Sequence, residues 1–182
     1  MGEVAQRYGR LADEFARAVA AVPEDRWSSP SPCEGWTGRD VVEHVCSTQG
    51  MFLGFVDEPA GDGPPVAEDP VGAWRAASAP VAAVLADPAR ATATFQGFFG
   101  ETSFESAIDR FVNFDLVVHR WDLARATGGD DRIDEADARR VLDGVAAFGP
   151  ALYGAGVCAD PIDVGPDADL TTRMLAVVGR RA

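Results

Sequence analysis

The chain contains two histidines, His44 and His119, and each lies in a segment whose apolar residues recur with helical spacing. Asp115 precedes His119 by four residues, which places the two side chains one turn apart on one helix face. This spacing lets two side chains of one helix bind the same metal ion, as in the two-histidine zinc helices. Since His44 is also expected to face inward, we predict that His44, Asp115 and His119 converge on one divalent metal ion. Two histidines and one carboxylate leave coordination positions open, which is typical of catalytic metal sites.

A simpler interpretation of the same residues remains open at this point. An unpaired carboxylate in an apolar stripe costs on the order of several kcal/mol, so Asp115 must be paired, protonated or metal-bound. Asp115 and His119 could therefore form a local hydrogen-bonded pair, with His44 as a core histidine, and the D-x-x-x-H spacing does not decide between the two. Asp122 lies on the same helix face, and we expect it to orient His119 or to pair with Arg125.

Other reactive residue types give weaker indications. Cys33 and Cys46 are expected to be small buried apolar side chains, with Cys33 beside a pocket as the alternative. Three widely spaced cysteines without a C-x-x-C pair suit a reducing cytoplasm better than a disulfide framework. Trp121 is expected to pack in the core. The serines of SSPSPC lack the flanking glycines of a nucleophile elbow, which argues against serine-hydrolase chemistry.

Charge and composition exclude several classes of function. The net charge of −13 argues against binding to nucleic acid or to anionic membranes, because both depend on Lys and Arg. All sixteen basic residues are arginine, so Schiff-base chemistry and a P-loop lysine are excluded. The N-terminal segment carries charges throughout and lacks the apolar run of a signal peptide. We therefore expect a cytoplasmic protein that acts on small molecules.

Helical periodicity, together with helix-capping and helix-breaking residues, predicts the elements that position these residues. A Thr37 N-cap with Asp40 three residues later predicts the start of the helix that carries His44. Pro80 is expected to kink or divide the helix in which it lies. Residues 91–99 alternate in character and predict a short strand or an extended crossover. The predicted helices span residues 3–22, 38–55, 70–86, 105–128, 134–148 and 169–178, in a single domain of residues 1–182.

Two motifs resemble a known family when they are taken together. SPCEGWTGRDVVEHV (residues 31–45) resembles the P-C-x-x-W…D-x-x-x-H segment of the DinB-like superfamily, and FDLVVHRWDLARATG (residues 114–128) resembles its D-x-x-x-H-x-W-D-L-A helix. The similarity is greatest to the branch related to the N-terminal domain of mycothiol-dependent maleylpyruvate isomerase. It implies an all-α, DinB-like four-helix bundle (up-down-down-up) with extra short helices and a divalent metal, zinc or alternatively nickel. It further implies His44, Asp115 and His119 as ligands, Asp122 beside them, and a homodimer as a family-level expectation.

The same resemblance suggests three functions. The first is an enzyme that transfers or uses a low-molecular-weight thiol such as mycothiol. The alternatives are a metal-dependent hydrolase in the same site and a non-catalytic metal- or ligand-binding sensor. Maleylpyruvate isomerisation itself is not expected, because the isomerase carries Glu at the position of Asp115 and has a further C-terminal domain.

Overall fold

The computed structural model describes residues 2–153 and 158–182, and they form two compact units, one ending at Asp130 and one beginning at Asp131. The single domain expected from the sequence stays a prediction. In the described parts of the chain, none of the helices combines the length and apolar character needed to cross a lipid bilayer.

Three long helices open the first unit: α1 (Glu3–Ala20), α2 (Gly38–Gly54) and α3 (Pro70–Ala86). A short 3₁₀ turn at Glu24–Arg26 lies between α1 and α2, and a single turn, α4 (Pro88–Ala91), follows α3. α3 runs without interruption across Pro80, so the division considered from the sequence is wrong. The other predicted boundaries of these helices hold to within two residues.

A β-hairpin follows α4. Its strands β1 (Thr94–Gly97) and β2 (Gly100–Ser103) pair antiparallel, with Thr94 opposite Ser103. The short strand predicted within residues 91–99 is thereby confirmed, whereas β2 was not foreseen. Phe98 and Phe99 occupy the two-residue turn between the strands.

The predicted helix 105–128 is present as three consecutive helical segments. They are α5 (Phe104–Ala107), a π-helical segment (Ile108–Val112) and α6 (Asn113–Thr127). α6 ends at Gly128, whose φ of 80° is the left-handed conformation that glycine adopts most readily at a helix C-terminus. The angular positions expected at 100° per residue therefore apply within α6 but not across residues 108–112, where the helix is more widely wound.

The four long helices of the first unit close into a bundle. α1 and α2 each pack against both α3 and α6. The shared core is apolar because each helix contributes residues spaced three and four apart. The predicted all-α helical bundle with extra short helices is confirmed. Fully buried core side chains include Phe15, Val41, Leu53, Val81, Ile108, Leu116 and Leu123.

The second unit contains α7 (Glu135–Phe148), a 3₁₀ segment (Gly149–Tyr153) and α8 (Leu170–Val177). α7 packs against α8, and the Tyr153 hydroxyl donates to the Val177 carbonyl at 3.0 Å. Both helices predicted in this region are confirmed, each beginning after the aspartate that caps it, Asp134 or Asp169.

Candidate metal centre

The N-terminus of α2 is fixed by the predicted capping box. The Thr37 backbone N–H donates to Asp40 Oδ2 at 2.7 Å, and Thr37 Oγ1 accepts from the Asp40 backbone N–H at 3.4 Å. The hydrogen bonds from Thr37 hold the pKa of Asp40 below its ordinary value. Because both ends of the box are paired, the first turn of α2 is anchored six residues before His44.

His44 and Asp115 meet across the α2–α6 contact. His44 Nε2 lies 3.4 Å from Asp115 Oδ2. Their side chains are 35% and 26% exposed, so His44, which was expected to face the core, is only partly buried. α2 turns His44 to the edge of the bundle, and the pair is open to solvent on one side.

His119 lies on the inner side of this pair. Its side chain is only 9% exposed, and its ring meets that of His44 edge-on with the centroids 4.8 Å apart. One ligand atom each from His44, Asp115 and His119 lie within 4.8 Å of one another. The structure thus brings together the three side chains selected from the sequence, and the carboxylate of Asp115 faces His44 instead of forming the local pair with His119.

Asp122 orients His119. The His119 Nδ1 atom is 3.0 Å from Asp122 Oδ2, and the Asp122 side chain is fully buried. A buried carboxylate at this distance favours the tautomer in which Nδ1 carries the proton. The Nε2 lone pair of His119 is then available to the group formed with His44 and Asp115, which is the role expected for Asp122.

The donor set fits a divalent transition metal. Imidazole nitrogen and carboxylate oxygen bind zinc at about 2.0–2.2 Å, so two ligand atoms of a tetrahedral site lie about 3.3 Å apart. The 3.4 Å between His44 Nε2 and Asp115 Oδ2 matches that separation. Metal-binding histidines usually donate their second ring N–H to a carboxylate, and Asp122 is such a carboxylate for His119.

Cys33 belongs to this neighbourhood. Its Sγ donates to Asp122 Oδ2 at 3.2 Å, the same oxygen that His119 Nδ1 approaches. Cys33, His119 and Asp122 therefore form a second group whose ligand atoms lie within 4.8 Å. From the sequence, Cys33 is expected to be either a small buried apolar side chain or a residue beside a pocket. Its position next to Pro32 in the P-C-x-x-W motif was the one signal that connected it with His44.

Trp36 covers one side of the two histidines. Its ring lies 4.9 Å from that of His44 and 5.9 Å from that of His119, nearly parallel to the latter. The loop that carries it is closed by a hydrogen bond from the Ser31 N–H to the Trp36 carbonyl at 2.8 Å. Trp36 thus attaches this loop to the bundle directly at the candidate centre.

The remaining residues singled out in the sequence do not belong to the two groups of candidate ligands. Trp121 is 2% exposed, as expected for a packing residue, and the Arg125 guanidinium lies over its ring at 5.5 Å. Burial raises the pKa of the Cys46 thiol to about 12, with the negative charge of Glu43 adding to the effect. Cys46 is therefore an unreactive thiol at neutral pH.

Comparison with known proteins finds a family that covers all the candidate ligands. A family model described as the mycothiol maleylpyruvate isomerase N-terminal domain matches residues 8–124, a segment that includes Cys33, His44, Asp115, His119 and Asp122. The chain belongs to this family. The isomerase N-terminal domain family is DinB-like and metal-binding in general, in agreement with the helical bundle and the donor set.

Two relatives in this comparison are uncharacterised proteins of Mycobacterium tuberculosis, one from strain CDC 1551 and one from strain H37Rv. Each is 34% identical over 149 residues, which cover 81% of this chain and 80% of the relative. A further uncharacterised protein of strain H37Rv is 36% identical over 50 residues, 28% of this chain and 20% of that protein. No solved structure matches the chain.

Proposed function

We propose that this chain binds one divalent metal ion, zinc or alternatively nickel, through His44 Nε2, the Asp115 carboxylate and His119 Nε2. The observation that carries the proposal is the convergence of these three side chains while Asp122 holds the far nitrogen of His119. Membership in the isomerase N-terminal domain family supports the same set of ligands.

We further propose that the site serves a reaction of a low-molecular-weight thiol such as mycothiol. A bound divalent metal ion supplies Lewis acidity, which lowers the pKa of a coordinated thiol and favours the nucleophilic thiolate. The protein's own contribution is positional. Asp122 fixes the His119 ring, Trp36 covers part of both histidine rings, and the partly exposed side chains of His44 and Asp115 are accessible to small molecules.

Metal content tests the first part of the proposal. We expect about one zinc or nickel ion per chain in the purified protein and its loss in His119→Ala, with the helical circular dichroism retained. Glu43→Gln is the matched control, since Glu43 is exposed on the same helix as His44. Undiminished metal stoichiometry in His119→Ala would contradict the assignment.

Thiol dependence tests the second part. Turnover of electrophiles that requires an added thiol and disappears with the metal supports the thiol-using enzyme. Hydrolysis without thiol would assign the site to a metal-dependent hydrolase, and stoichiometric thiol binding without turnover would assign a sensor or carrier. The homodimer and the cytoplasmic location expected from the sequence stay predictions, to be checked by sedimentation and by fractionation.

A further inference from the structure

Five large apolar side chains are exposed in the described part of the chain, and two of them, Phe98 and Phe99, are adjacent in the turn of the hairpin. They are 59% and 56% exposed. Among the described non-glycine residues only Asp57 has a positive φ, so the backbone of this turn makes no special demand at Phe98 and Phe99 and gives no reason for two exposed rings there. Their side chains require another explanation.

These rings form the outer edge of an aromatic cluster. Phe98 meets the ring of Phe111 at 5.8 Å and that of Phe52 at 6.4 Å, while Phe99 stacks on Phe111 at 6.1 Å. The Arg110 guanidinium lies 4.8 Å above the Phe99 ring. We call Phe98, Phe99 and Phe111 the aromatic patch; its rings are held in fixed relation to the bundle by Phe52 beneath them.

The aromatic patch is continuous with the candidate metal centre along the contact between α2 and the helical stretch 104–127. His44 faces Asp115 at 3.4 Å, and Phe52, eight residues later, faces Phe111, four residues earlier, at 5.7 Å between rings. The two helical stretches therefore run antiparallel. The two pairs are separated by four residues on the helical stretch 104–127 and by eight residues on α2, which is about 6 to 12 Å of helical rise. One aromatic ring with a short side group spans this separation.

The size of the aromatic patch fits a small molecule better than a protein. A buried aromatic side chain removes about 150–250 Å² from solvent, so the exposed parts of Phe98 and Phe99 together offer about 200 Å². A stable protein–protein interface needs about 800 Å² from each partner. A second copy of the chain would have to find most of its contact elsewhere.

We propose that the aromatic patch binds the aromatic ring of a small electrophilic substrate whose reactive carbon lies at the His44–Asp115–His119 group. The inference rests on the proposed thiol-using function and adds a substrate class to it. Contact with the exposed parts of the Phe98 and Phe99 rings selects aromatic over aliphatic electrophiles, while Arg110 covers one face of Phe99. The ring is bound about 6 to 12 Å along the helix contact from the site at which the thiol reacts.

Direct binding of a neutral aromatic dye, N-phenyl-1-naphthylamine, tests the aromatic patch independently of catalysis. We expect saturable fluorescence enhancement with about one dye per chain, weakened at least fivefold in Phe99→Ala. Val71→Ala is the matched control, because Val71 is an exposed apolar side chain on α3 and should leave the affinity within twofold. Absence of saturable binding, or equal weakening in both variants, would overturn the proposal.

Steady-state kinetics test whether a ring bound at the aromatic patch belongs to a substrate that reacts at the candidate metal centre. Chloroacetamide and N-phenylchloroacetamide carry the same reactive carbon, at which the thiol sulfur displaces chloride and a proton is released. We expect Phe99→Ala to raise KM for the phenyl substrate at least fivefold more than it raises KM for chloroacetamide. An equal effect on both substrates would refute the selection of aromatic rings by the patch.

Two outcomes separate this inference from the function on which it rests. Saturable dye binding to metal-loaded protein that shows no thiol-dependent turnover would remove the proposed function and leave the aromatic site. A wild-type dimer that dissociates in Phe98→Ser, measured by sedimentation, would instead assign the patch to self-association and overturn the inference. The zinc content of Phe99→Ala should equal that of the wild type.

Discussion

His119 Nδ1 and Asp122 Oδ2 lie 3.0 Å apart on adjacent turns of α6. The two nitrogens of the imidazole ring therefore have different roles. Nδ1 faces a fully buried carboxylate, and the same ring meets the ring of the partly exposed His44 edge-on, with 4.8 Å between centroids. The buried side of the ring therefore sets its orientation, and the open side is left for chemistry.

Asp122→Asn should weaken zinc binding by about 10- to 100-fold, because the ring loses the charged acceptor that fixes its tautomer and raises its basicity. Isothermal titration calorimetry of metal-free protein measures the change. The matched control is Asp13→Asn, which alters an exposed carboxylate on α1. Equal zinc affinity in Asp122→Asn and wild type would remove the supporting role of Asp122.

Cys33 should contribute to zinc binding through its hydrogen bond to Asp122 Oδ2. Cys33→Ala removes the S–H donor to Asp122 Oδ2 and should weaken zinc binding by a smaller factor than Asp122→Asn does. Cys33→Ser retains a donor, so it should restore most of the affinity. If Ser and Ala variants weaken zinc binding to the same extent, Cys33 acts by packing and not by its hydrogen bond.

Thr37→Ala should lower the free energy of unfolding by about 1 kcal/mol, within the 0.5–2 kcal/mol typical of a lost N-cap. Urea denaturation monitored by circular dichroism measures this loss. Ser103→Ala, which removes the cap of the four-residue α5, offers a comparison with a shorter helix. An unchanged free energy of unfolding in Thr37→Ala would show that the capping box does not stabilise α2.

The pH dependence of the same cap follows from Asp40, whose pKa is lowered in the folded state by its hydrogen bonds with Thr37. A lowered folded-state pKa means that this stabilisation is complete above the ordinary carboxyl pKa of about 4 and is lost as the pH falls through the folded-state value. Asp40→Asn should therefore show a flatter loss of stability below about pH 4. A steeper acid dependence in Asp40→Asn than in wild type would contradict this sign.

Trp36 should report metal binding. Since its ring lies against both histidines, Ni²⁺ bound at the centre should quench its emission, and Trp36→Phe should remove more than about half of that quenching. Trp27→Phe is the control, because Trp27 belongs to the same loop but lies against Arg39. Equal loss of the signal in both variants would place the metal elsewhere.

Cys46 should resist alkylation in the folded protein. With a pKa raised to about 12, its thiolate fraction at pH 8 is about one part in ten thousand, and each pH unit should raise the rate about tenfold. Iodoacetamide labelling of the Cys33→Ser, Cys158→Ser protein isolates this thiol. The same protein in guanidinium chloride should react rapidly, and equal rates in the two conditions would show that burial does not protect Cys46.

Local sequence signals were sufficient for most of the fold. The capping box at Thr37 and the glycine stop at Gly128 mark helix ends through contacts made within a few residues, so they can be recognised without tertiary information. The π-helical segment Ile108–Val112 could not be recognised in this way. An additional residue in a helical turn leaves the apolar pattern readable as an ordinary helix, and its position depends on packing against α1 and α2.

The candidate site was predictable in its composition but not in its exposure. Scarcity of histidine and the spacing of Asp115 and His119 selected three side chains that the structure brings together. The half-exposed state of His44 and the contact of Cys33 with Asp122 depend on how a loop and two helices meet, and neither helical periodicity nor residue type carries that information.

The π-helical segment also separates two parts of the molecule that could change independently. It lies between the hairpin that carries Phe98 and Phe99 and the helix that carries Asp115 and His119. Removal of Val112, the last residue of the segment, would turn Phe111 by about 100° about the helix axis relative to Asp115. In a diverging lineage, such a deletion would re-aim this aromatic side chain while Asp115 and His119 keep their spacing on α6, so the apolar surroundings of the candidate centre would change and its ligands on α6 would be inherited unchanged.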